Sequence, residues 1–241
     1  MDEHLVEQLV DELSQFGISL TQEQARTLVS YLGLVIEKNK VVNLTRITNP
    51  TEAVTLHLVD SLLPLASSSL QVDQGSKILD MGTGAGFPGV PVAVATGAQA
   101  LLVDSVRKKT DAVAEFAVAL GLGNVSTRHA RLEELAWELT FSQDVVFARA
   151  VARTNVLIEY ATPFLSQNGM LVVEKGRPVD DEIAEAEKAA SLCGLSLVSR
   201  ETFELPCELG HREILIYKKV GKSKIKLPRR TGLAKSQPLG V

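Results

Sequence analysis

The chain has 241 residues, of which 45% are hydrophobic and 22% charged, and these proportions are typical of a globular protein and exclude a mostly disordered chain. Two cysteines, Cys193 and Cys207, are too few for a disulfide scaffold or a closed zinc site, and we expect no bound metal. No apolar run reaches the roughly 18 residues of a membrane-spanning helix, and the acidic N-terminus lacks the basic region of a signal peptide. We therefore expect a cytoplasmic protein with no membrane partner.

The net charge of −4 conceals a basic C-terminal segment. Residues 211–241 contain nine lysines and arginines and one acid, a net charge of +8, whereas residues 1–210 carry −12. A basic segment on an acidic body predicts a polyanionic partner. A solvated chain terminus is the alternative interpretation of the same composition.

The first 70 residues are predicted to form helices only. Apolar residues repeat at helical spacing over residues 5–13. Thr21 and Gln24 form the pattern of a capping box that opens a second helix. Asn49 followed by Pro50 predicts a third helix, to about residue 68. We expect a helical cap over residues 1–70, a main domain over residues 71–219 and a basic tail over residues 220–241.

Strands and helices then alternate along the chain. Strands are predicted at KILDMG, ALLVDS, residues 125–129, DVVFARA, GMLVVEK, LSLVSRETFEL and REILIYKK, and helices at residues 88–95, 108–120, 132–139, around 156–158, and 179–192. This alternation predicts a parallel sheet. The last two strands have no helix between them, so one of them is expected to run antiparallel. Trp137, between two leucines at spacing two, is predicted to be a core residue.

A glycine-rich loop, LDMGTGAGFPG at residues 79–89, lies between a predicted strand and a predicted helix. Glycines let the backbone turn sharply and approach a ligand closely. Asp104 ends the next strand about 20 residues later, which is the spacing of a carboxylate that binds ribose hydroxyls. The loop therefore predicts a nucleotide-binding site.

Two cofactors are compatible with this loop. Gly84, Gly86 and Gly89 satisfy the dinucleotide pattern, which indicates a nicotinamide-dependent oxidoreductase. Gly82, Gly84 and Gly86 preceded by Asp80 are instead typical of an S-adenosylmethionine loop. The Asp80 carboxylate would repel a pyrophosphate and suits the cationic end of S-adenosylmethionine, which favours the second interpretation.

Six segments together resemble one family: NLTRI at residues 43–47, HLVDSLLPL at 57–65, LDMGTGAGFPGVPVA at 79–93, FARAVA at 147–152, EKG at 174–176 and LPRRTG at 227–232. In this order they are similar to the RsmG family, also called GidB, of bacterial 16S rRNA guanine-N7 methyltransferases. The resemblance implies a seven-stranded Rossmann-like class I methyltransferase fold with an N-terminal helical extension. It implies S-adenosylmethionine as cofactor and 16S rRNA or the small ribosomal subunit as partner. We expect a monomer.

The resemblance also implies site residues. Cofactor contacts are expected at Asp80, Gly82, Gly84, Gly86, Phe87, Asp104, Ser105, Leu132, Glu133 and Arg149. The residues alone leave alternatives open, because Leu132 is equally suited to the core, Glu133 to a helix N-terminus and Arg149 to a buried ion pair. RNA contacts are expected at Lys222, Lys224, Lys226, Arg229 and Arg230.

Methylation of guanine N7 requires no general base, because N7 has a lone pair and no proton to lose. Positioning is therefore expected to supply most of the catalysis. Asn43, Arg149 and Lys175 are the candidates for positioning the guanine or its phosphates. His57 and Asp60, three residues apart on one helix face, are expected to form a structural hydrogen bond rather than a catalytic dyad. A non-catalytic RNA-binding protein on the same fold is the third hypothesis.

Overall fold

The computed structural model describes residues 2–241 and contains one seven-stranded sheet. The strands are β1 (Lys77–Met81), β2 (Gln99–Asp104), β3 (Val125–His129), β4 (Gln143–Arg149), β5 (Leu165–Lys175), β6 (Leu195–Glu204) and β7 (His211–Lys219). Their order in the sheet is β3-β2-β1-β4-β5-β7-β6. β7 pairs antiparallel with both β5 and β6, and the other pairs are parallel. The predicted parallel sheet with an antiparallel strand is confirmed.

Helices cover both faces of the sheet. They are α1 (Glu3–Ser14), α2 (Gln22–Asn39), α3 (Pro50–Ala53), α4 (Asp60–Leu62), α5 (Gly89–Thr96), α6 (Arg107–Ala119), α7 (Leu132–Leu135), α8 (Thr154–Ala161), α9 (Asp180–Cys193) and α10 (Leu233–Ser236), with 3-10 turns at Leu63–Ala66 and Pro206–Glu208. Successive strand residues enter different cores, because side chains alternate across a strand. Ile78 belongs to the core that includes residues of α1, α2, α5 and α6, whereas Leu79 and Met81 belong to the core that includes residues of α8 and α9. No helix within residues 2–241 has the length and apolar character needed to cross a membrane.

The N-terminal helices share their core with the sheet. The predicted capping box at Thr21 and Gln24 is confirmed. The Tyr31 side chain of α2 is fully buried and donates a hydrogen bond to the Ala85 carbonyl at 2.7 Å. Its ring also packs edge-on against Phe87 and Phe116. The helical segment is thereby attached directly to the glycine loop.

The third predicted helix begins as expected, with Asn49 accepting from the Glu52 amide, but continues as a π-helical turn over Val54–Val59. The expected hydrogen bond between the side chains of His57 and Asp60 does not form, so that prediction is wrong. His57 Nε2 lies 2.8 Å from the Thr45 hydroxyl, and the imidazole stacks on Phe87. Asp60 faces the sheet and binds arginines there.

Trp137 is 64% exposed, which contradicts its prediction as a core residue. α7 ends at Leu135, and the buried residues here are Leu135 and the next residue, Ala136. The predicted extension of this helix to residue 139 is therefore wrong as well.

Candidate active site

The glycine loop follows β1 and crosses the carboxyl end of β2. Gly82 and Thr83 donate their backbone N–H groups to the Val103 carbonyl at 2.8 and 3.0 Å. Gly86 has a φ of +90°, and a Cβ there would lie 2.0 Å from the Tyr31 hydroxyl oxygen. Only glycine therefore fits between the loop and α2 at this position.

Asp104 lies where β2 ends, and its carboxylate orders the backbone on both sides. Its Oδ2 accepts from the Gly84 amide at 3.0 Å, and its Oδ1 accepts from the Val106 amide at 2.8 Å. Each carboxylate oxygen has a second acceptor position. Asp104 is 8% exposed and lines a cleft, so it remains able to accept hydrogen bonds from a ligand.

The cleft next to Asp104 encloses about 100 Å³. Five of its lining residues are predicted cofactor contacts: Gly82, Asp104, Ser105, Leu132 and Glu133. Others, including Val151, Tyr160 and Lys235, were not predicted. Burial and the Glu133 carboxylate raise the pKa of Tyr160 to about 12, so its hydroxyl remains protonated as a donor. Tyr160 could not be predicted as a cleft residue, because in the sequence it looks like one more apolar residue of α8.

Two predicted contacts lie beneath the loop instead of in the cleft lining. Asp80 is 1% exposed, and its Oδ2 accepts from the Thr83 hydroxyl at 2.6 Å and the Gly89 amide at 3.0 Å. Burial raises the pKa of Asp80 to about 6, although both hydrogen bonds oppose the shift. Phe87 is also buried, between His57, Tyr31 and the Arg149 guanidinium.

A second cavity, of about 380 Å³, lies at the carboxyl ends of β4 and β5. Two of the predicted positioning residues, Arg149 and Lys175, line it. Asn43 is exposed on the loop after α2 and lies outside both lining sets. The Lys175 ammonium donates to the Ala152 carbonyl at 2.8 Å and pairs with Glu182 at 2.7 Å.

Arg149 forms the ion pair that was its alternative interpretation, and it also lines the cavity. Its Nη1 donates to Asp60 Oδ2 at 3.0 Å and to the Leu56 carbonyl at 3.2 Å. The other oxygen of Asp60 accepts from Arg212 Nε at 2.8 Å. One buried carboxylate therefore fixes two guanidinium groups at the cavity wall.

The segment after β4 separates the cleft from the second cavity. Ala150 lines the cavity, and the next residue, Val151, lines the cleft. Ala150 has a φ of +56°, a left-handed conformation that is uncommon outside glycine and is often found at functional sites. A ligand in the cleft and a ligand in the cavity would be neighbours across this segment.

The comparisons with known proteins agree on the family. The model of rRNA small subunit methyltransferase G (GidB) matches residues 24–212. Ribosomal RNA small subunit methyltransferase G of Carboxydothermus hydrogenoformans is 35% identical over 229 residues, covering 94% of this chain and 96% of that protein. The protein of that name from Lachnoclostridium phytofermentans is 37% identical, covering 95% and 96%. The chain belongs to the GidB family.

The solved structures show the same fold. A SAM-dependent methyltransferase of Aquifex aeolicus has a TM-score of 0.53 at 16% identity, covering 70% of this chain and 93% of that one. TYW2 of M. jannaschii, in complex with AdoMet, has a TM-score of 0.50 at 17% identity, covering 61% and 69%. The Rossmann-like methyltransferase fold is confirmed. Family membership supports the S-adenosylmethionine-dependent RNA methyltransferase over the oxidoreductase and the non-catalytic protein.

The residues of the cleft fit the cofactor of the GidB family. An adenosine presents two ribose hydroxyls, and the Asp104 carboxylate at the end of β2 has free acceptor positions for them. The volume of 100 Å³ is smaller than the roughly 300 Å³ typical of the smallest ligand pockets. A nucleoside bound beside Asp104 would therefore extend beyond the enclosed part of the cleft.

The C-terminal tail of this GidB family member packs along the fold and reaches the cleft. Glu133 Oε1 accepts from the Gly232 amide at 2.9 Å, and Lys235 is part of the cleft lining. Arg229 makes a bidentate pair with Glu159 of α8, which is 3% exposed. The remaining residues of the predicted RNA-binding set are exposed: Lys222, Lys224, Lys226 and Arg230.

Proposed function

We propose that this protein transfers the methyl group of S-adenosylmethionine to N7 of a guanine in the decoding region of 16S rRNA. The observation that carries this proposal is the pair of neighbouring sites across Ala150 and Val151. One has a carboxylate suited to ribose, and the other has guanidinium groups and the volume for a nucleobase.

The cofactor supplies an electrophilic methyl group on a sulfonium. We infer that Asp104 binds the ribose hydroxyls, while Ser105, Leu132 and Glu133 surround the adenine. Gly82, Gly84 and Gly86 allow the loop to approach the ligand closely. Asp80, which lies beneath the loop, acts on the cationic end of the ligand through its charge and not by direct contact.

Glu133 Oε1 accepts from the Gly232 amide, and this bond holds the tail segment 232–235 beside the cleft. The other carboxylate oxygen of Glu133 stays free to accept from the adenine amino group. Closure of the same segment over a bound nucleoside would exclude water from it. Lys235 also lines the cleft and places a positive charge at this rim.

In the second cavity, the guanidinium of Arg149 is placed to donate to guanine O6 or to a flanking phosphate. A guanidinium has five N–H donors. Those on Nη1 are used within the protein, and those on the other two nitrogens are free of partners within residues 2–241. The Lys175 side chain also lines this cavity, and its ammonium is held in place by Glu182. Asn43 on the exposed loop contacts RNA outside the cavity. These residues orient the base, and none of them removes a proton.

The exposed lysines of the tail are proposed to bind rRNA phosphates. They follow the last residue of β7. Because β7 runs antiparallel to its neighbours, its carboxyl end lies at the amino ends of the parallel strands, whereas the cleft lies at their carboxyl ends. A strand of 5–6 residues spans about 17–20 Å. RNA that reaches both places must therefore extend along one side of the sheet, as a folded rRNA segment or an assembled subunit does.

We propose that the protein acts as a monomer in the cytoplasm, where ribosomes are available. The direct test is methyl transfer to naked 16S rRNA and to small subunits that lack the modification, followed by mass-spectrometric mapping. We expect one 7-methylguanosine in the decoding region. Methylation of a different atom would contradict the proposal. So would the absence of any methyl transfer by protein that has been shown to bind the cofactor.

The role of the tail is tested by replacing Lys222, Lys224 and Lys226 with Ser. We expect unchanged cofactor affinity, weaker RNA binding, and a log-log salt slope that falls by roughly one unit per lost phosphate contact. The matched control replaces the surface lysines Lys38, Lys40 and Lys188. If both variants bind RNA alike, the tail lysines are not the docking surface, and Arg128, Arg131 and Arg153 become the candidates.

A further inference from the structure

Glu174 is a buried carboxylate without a partner in the second cavity. The residue is 2% exposed and lines the cavity. Neither Oε1 nor Oε2 has a hydrogen-bond partner, and both atoms are buried. An unpaired buried charge is costly, and it is usually retained only where something else compensates for it. Burial accordingly raises the pKa of Glu174 well above its usual range, against the opposing influence of Arg149.

The neighbouring cations are already paired with another acid. On the neighbouring strand β4, Arg149 is paired with Glu174, and on β7 the residue paired with Glu174 is Ile214. Arg212 lies two residues before Ile214, so its side chain is on the same face of the sheet as that of Glu174. Both guanidinium groups are bound by Asp60. The next residue, Lys175, pairs with Glu182. Within residues 2–241, no side chain donates to Glu174.

Glu174 therefore lines the cavity and has two adjacent acceptor atoms that no protein group within residues 2–241 uses. Both atoms lie just beneath the cavity surface, so a ligand reaches them by displacing part of the lining. The matching group has two parallel N–H donors. Among the four RNA bases, only guanine presents two adjacent donors, N1–H and the 2-amino group, on its Watson–Crick edge. Adenine and cytosine each present a donor beside an acceptor there, and uracil presents one donor between two acceptors.

We propose that Glu174 is the specificity-determining residue for the target base, accepting hydrogen bonds from N1–H and the 2-amino group of guanine. This inference rests on the proposed function, which makes guanine N7 the methyl acceptor. N7 lies across the ring system from N1 and the 2-amino group. A guanine held by that edge keeps N7 free to face the cleft beyond Ala150.

The same carboxylate has an electrostatic role in the reaction. The sulfur–methyl bond breaks as the bond from N7 to the methyl carbon forms, the electron pair of the broken bond stays on sulfur, and no proton is transferred. The positive charge of the sulfonium thus passes to the guanine ring. Two donors from the bound guanine, together with the nearby Arg149 guanidinium, favour the ionised form of Glu174. The negative charge present at the ring edge once the base is bound then stabilises this product charge as it develops, in a cavity where water screens it little.

The test is Glu174→Gln in the full-length protein, because a glutamine side chain keeps the shape but replaces one acceptor by an NH2 donor. We expect the melting temperature and S-adenosylmethionine affinity to stay at the wild-type values. The kcat/KM for rRNA methylation should fall roughly 10- to 100-fold, the range for hydrogen bonds to a charged group. Replacing the target guanine by inosine, which lacks the 2-amino group, gives the second measurement. Wild type should prefer guanine over inosine by about tenfold or more, whereas the variant should lose that preference.

The matched control is Glu159→Gln, at a second buried glutamate whose oxygens are both paired with Arg229. It should lower the melting temperature and leave the preference for guanine over inosine intact. Unchanged kcat/KM or an unchanged preference in Glu174→Gln would overturn the inference. A loss of cofactor affinity would overturn it too, since the carboxylate would then bind the ammonium of the cofactor. If wild type methylates no guanine N7, the proposed function fails instead.

Discussion

The pair of adjacent arginines in the tail offers a direct test of how the tail is held. Arg229 makes a bidentate pair with Glu159, and the two side chains are 19% and 4% exposed. Arg230, the next residue, is exposed and makes no salt bridge. Replacing each arginine by Ser removes the same charge from the same segment. Only Arg229→Ser leaves a buried carboxylate unpaired.

Removing one partner of a buried ion pair costs about 3–5 kcal/mol, and the partial exposure of Arg229 favours the lower end of that range. For a chain of this length, about 3 kcal/mol corresponds to a decrease in melting temperature of roughly 6–12 °C. Surface substitutions such as Arg230→Ser stay within about 0.5 kcal/mol. We therefore expect two variants of equal charge with clearly different melting temperatures.

Thermal and urea unfolding, followed by circular dichroism, measure the difference. The double variant Glu159→Gln with Arg229→Ser should recover part of the lost stability, because it also removes the buried charge. Melting temperatures of Arg229→Ser and Arg230→Ser that agree within about 2 °C would refute the reasoning. In that case Arg229 would contribute no more to stability than the exposed basic residues of the tail.

Three further predictions concern the cleft and its support. Asp104→Ala should lower S-adenosylmethionine affinity at least about tenfold, through lost charge-assisted hydrogen bonds, as measured by titration calorimetry; unchanged affinity in a folded variant would contradict the ribose assignment. Gly89→Ala should lower the melting temperature, because its Cβ would lie 2.8 Å from Asp80 Oδ2 and 2.9 Å from Leu102 Cγ, and a melting curve like that of wild type would show that the loop can shift. Burial and Arg149 lower the pKa of His57 to about 3, so its NMR signal should not titrate between pH 8 and 5. Since unfolded histidine binds a proton below about 6.5, wild type should lose stability relative to His57→Asn as the pH falls from 6.5 towards 3.

Local patterns were sufficient to predict most of the fold. Hydrophobic period, the capping box at Thr21 and the Asn49–Pro50 pair each depend on neighbours within a few residues, and the structure has the corresponding elements. The position of Asp104 at the end of β2, beside the glycine loop, was predictable because the length of a βαβ unit fixes its distance from the loop along the chain. The π-helical turn over Val54–Val59 has no comparable local signal.

The second cavity was only partly predictable, since its charges come from distant segments. Asp60, Arg149 and Arg212 meet across the sheet, and their pairing leaves Glu174 without a partner. No spacing rule connects these positions. The ion pair of Arg229 was unpredictable for the same reason, because a count of charges in the tail cannot show that one of them faces a buried acid.

The path of the chain around the cleft also has a consequence for how the protein is made. The residues that line the cleft come from positions as far apart in the chain as Gly82 and Lys235, and a hydrogen bond at its rim joins Glu133 to Gly232. During synthesis the sheet can form before residues 229–235 are available, but the rim cannot. A nascent chain therefore has a complete sheet and an unfinished cleft. In this member of the GidB family the cleft is therefore completed later than the whole sheet, once residues 229–235 have left the ribosome.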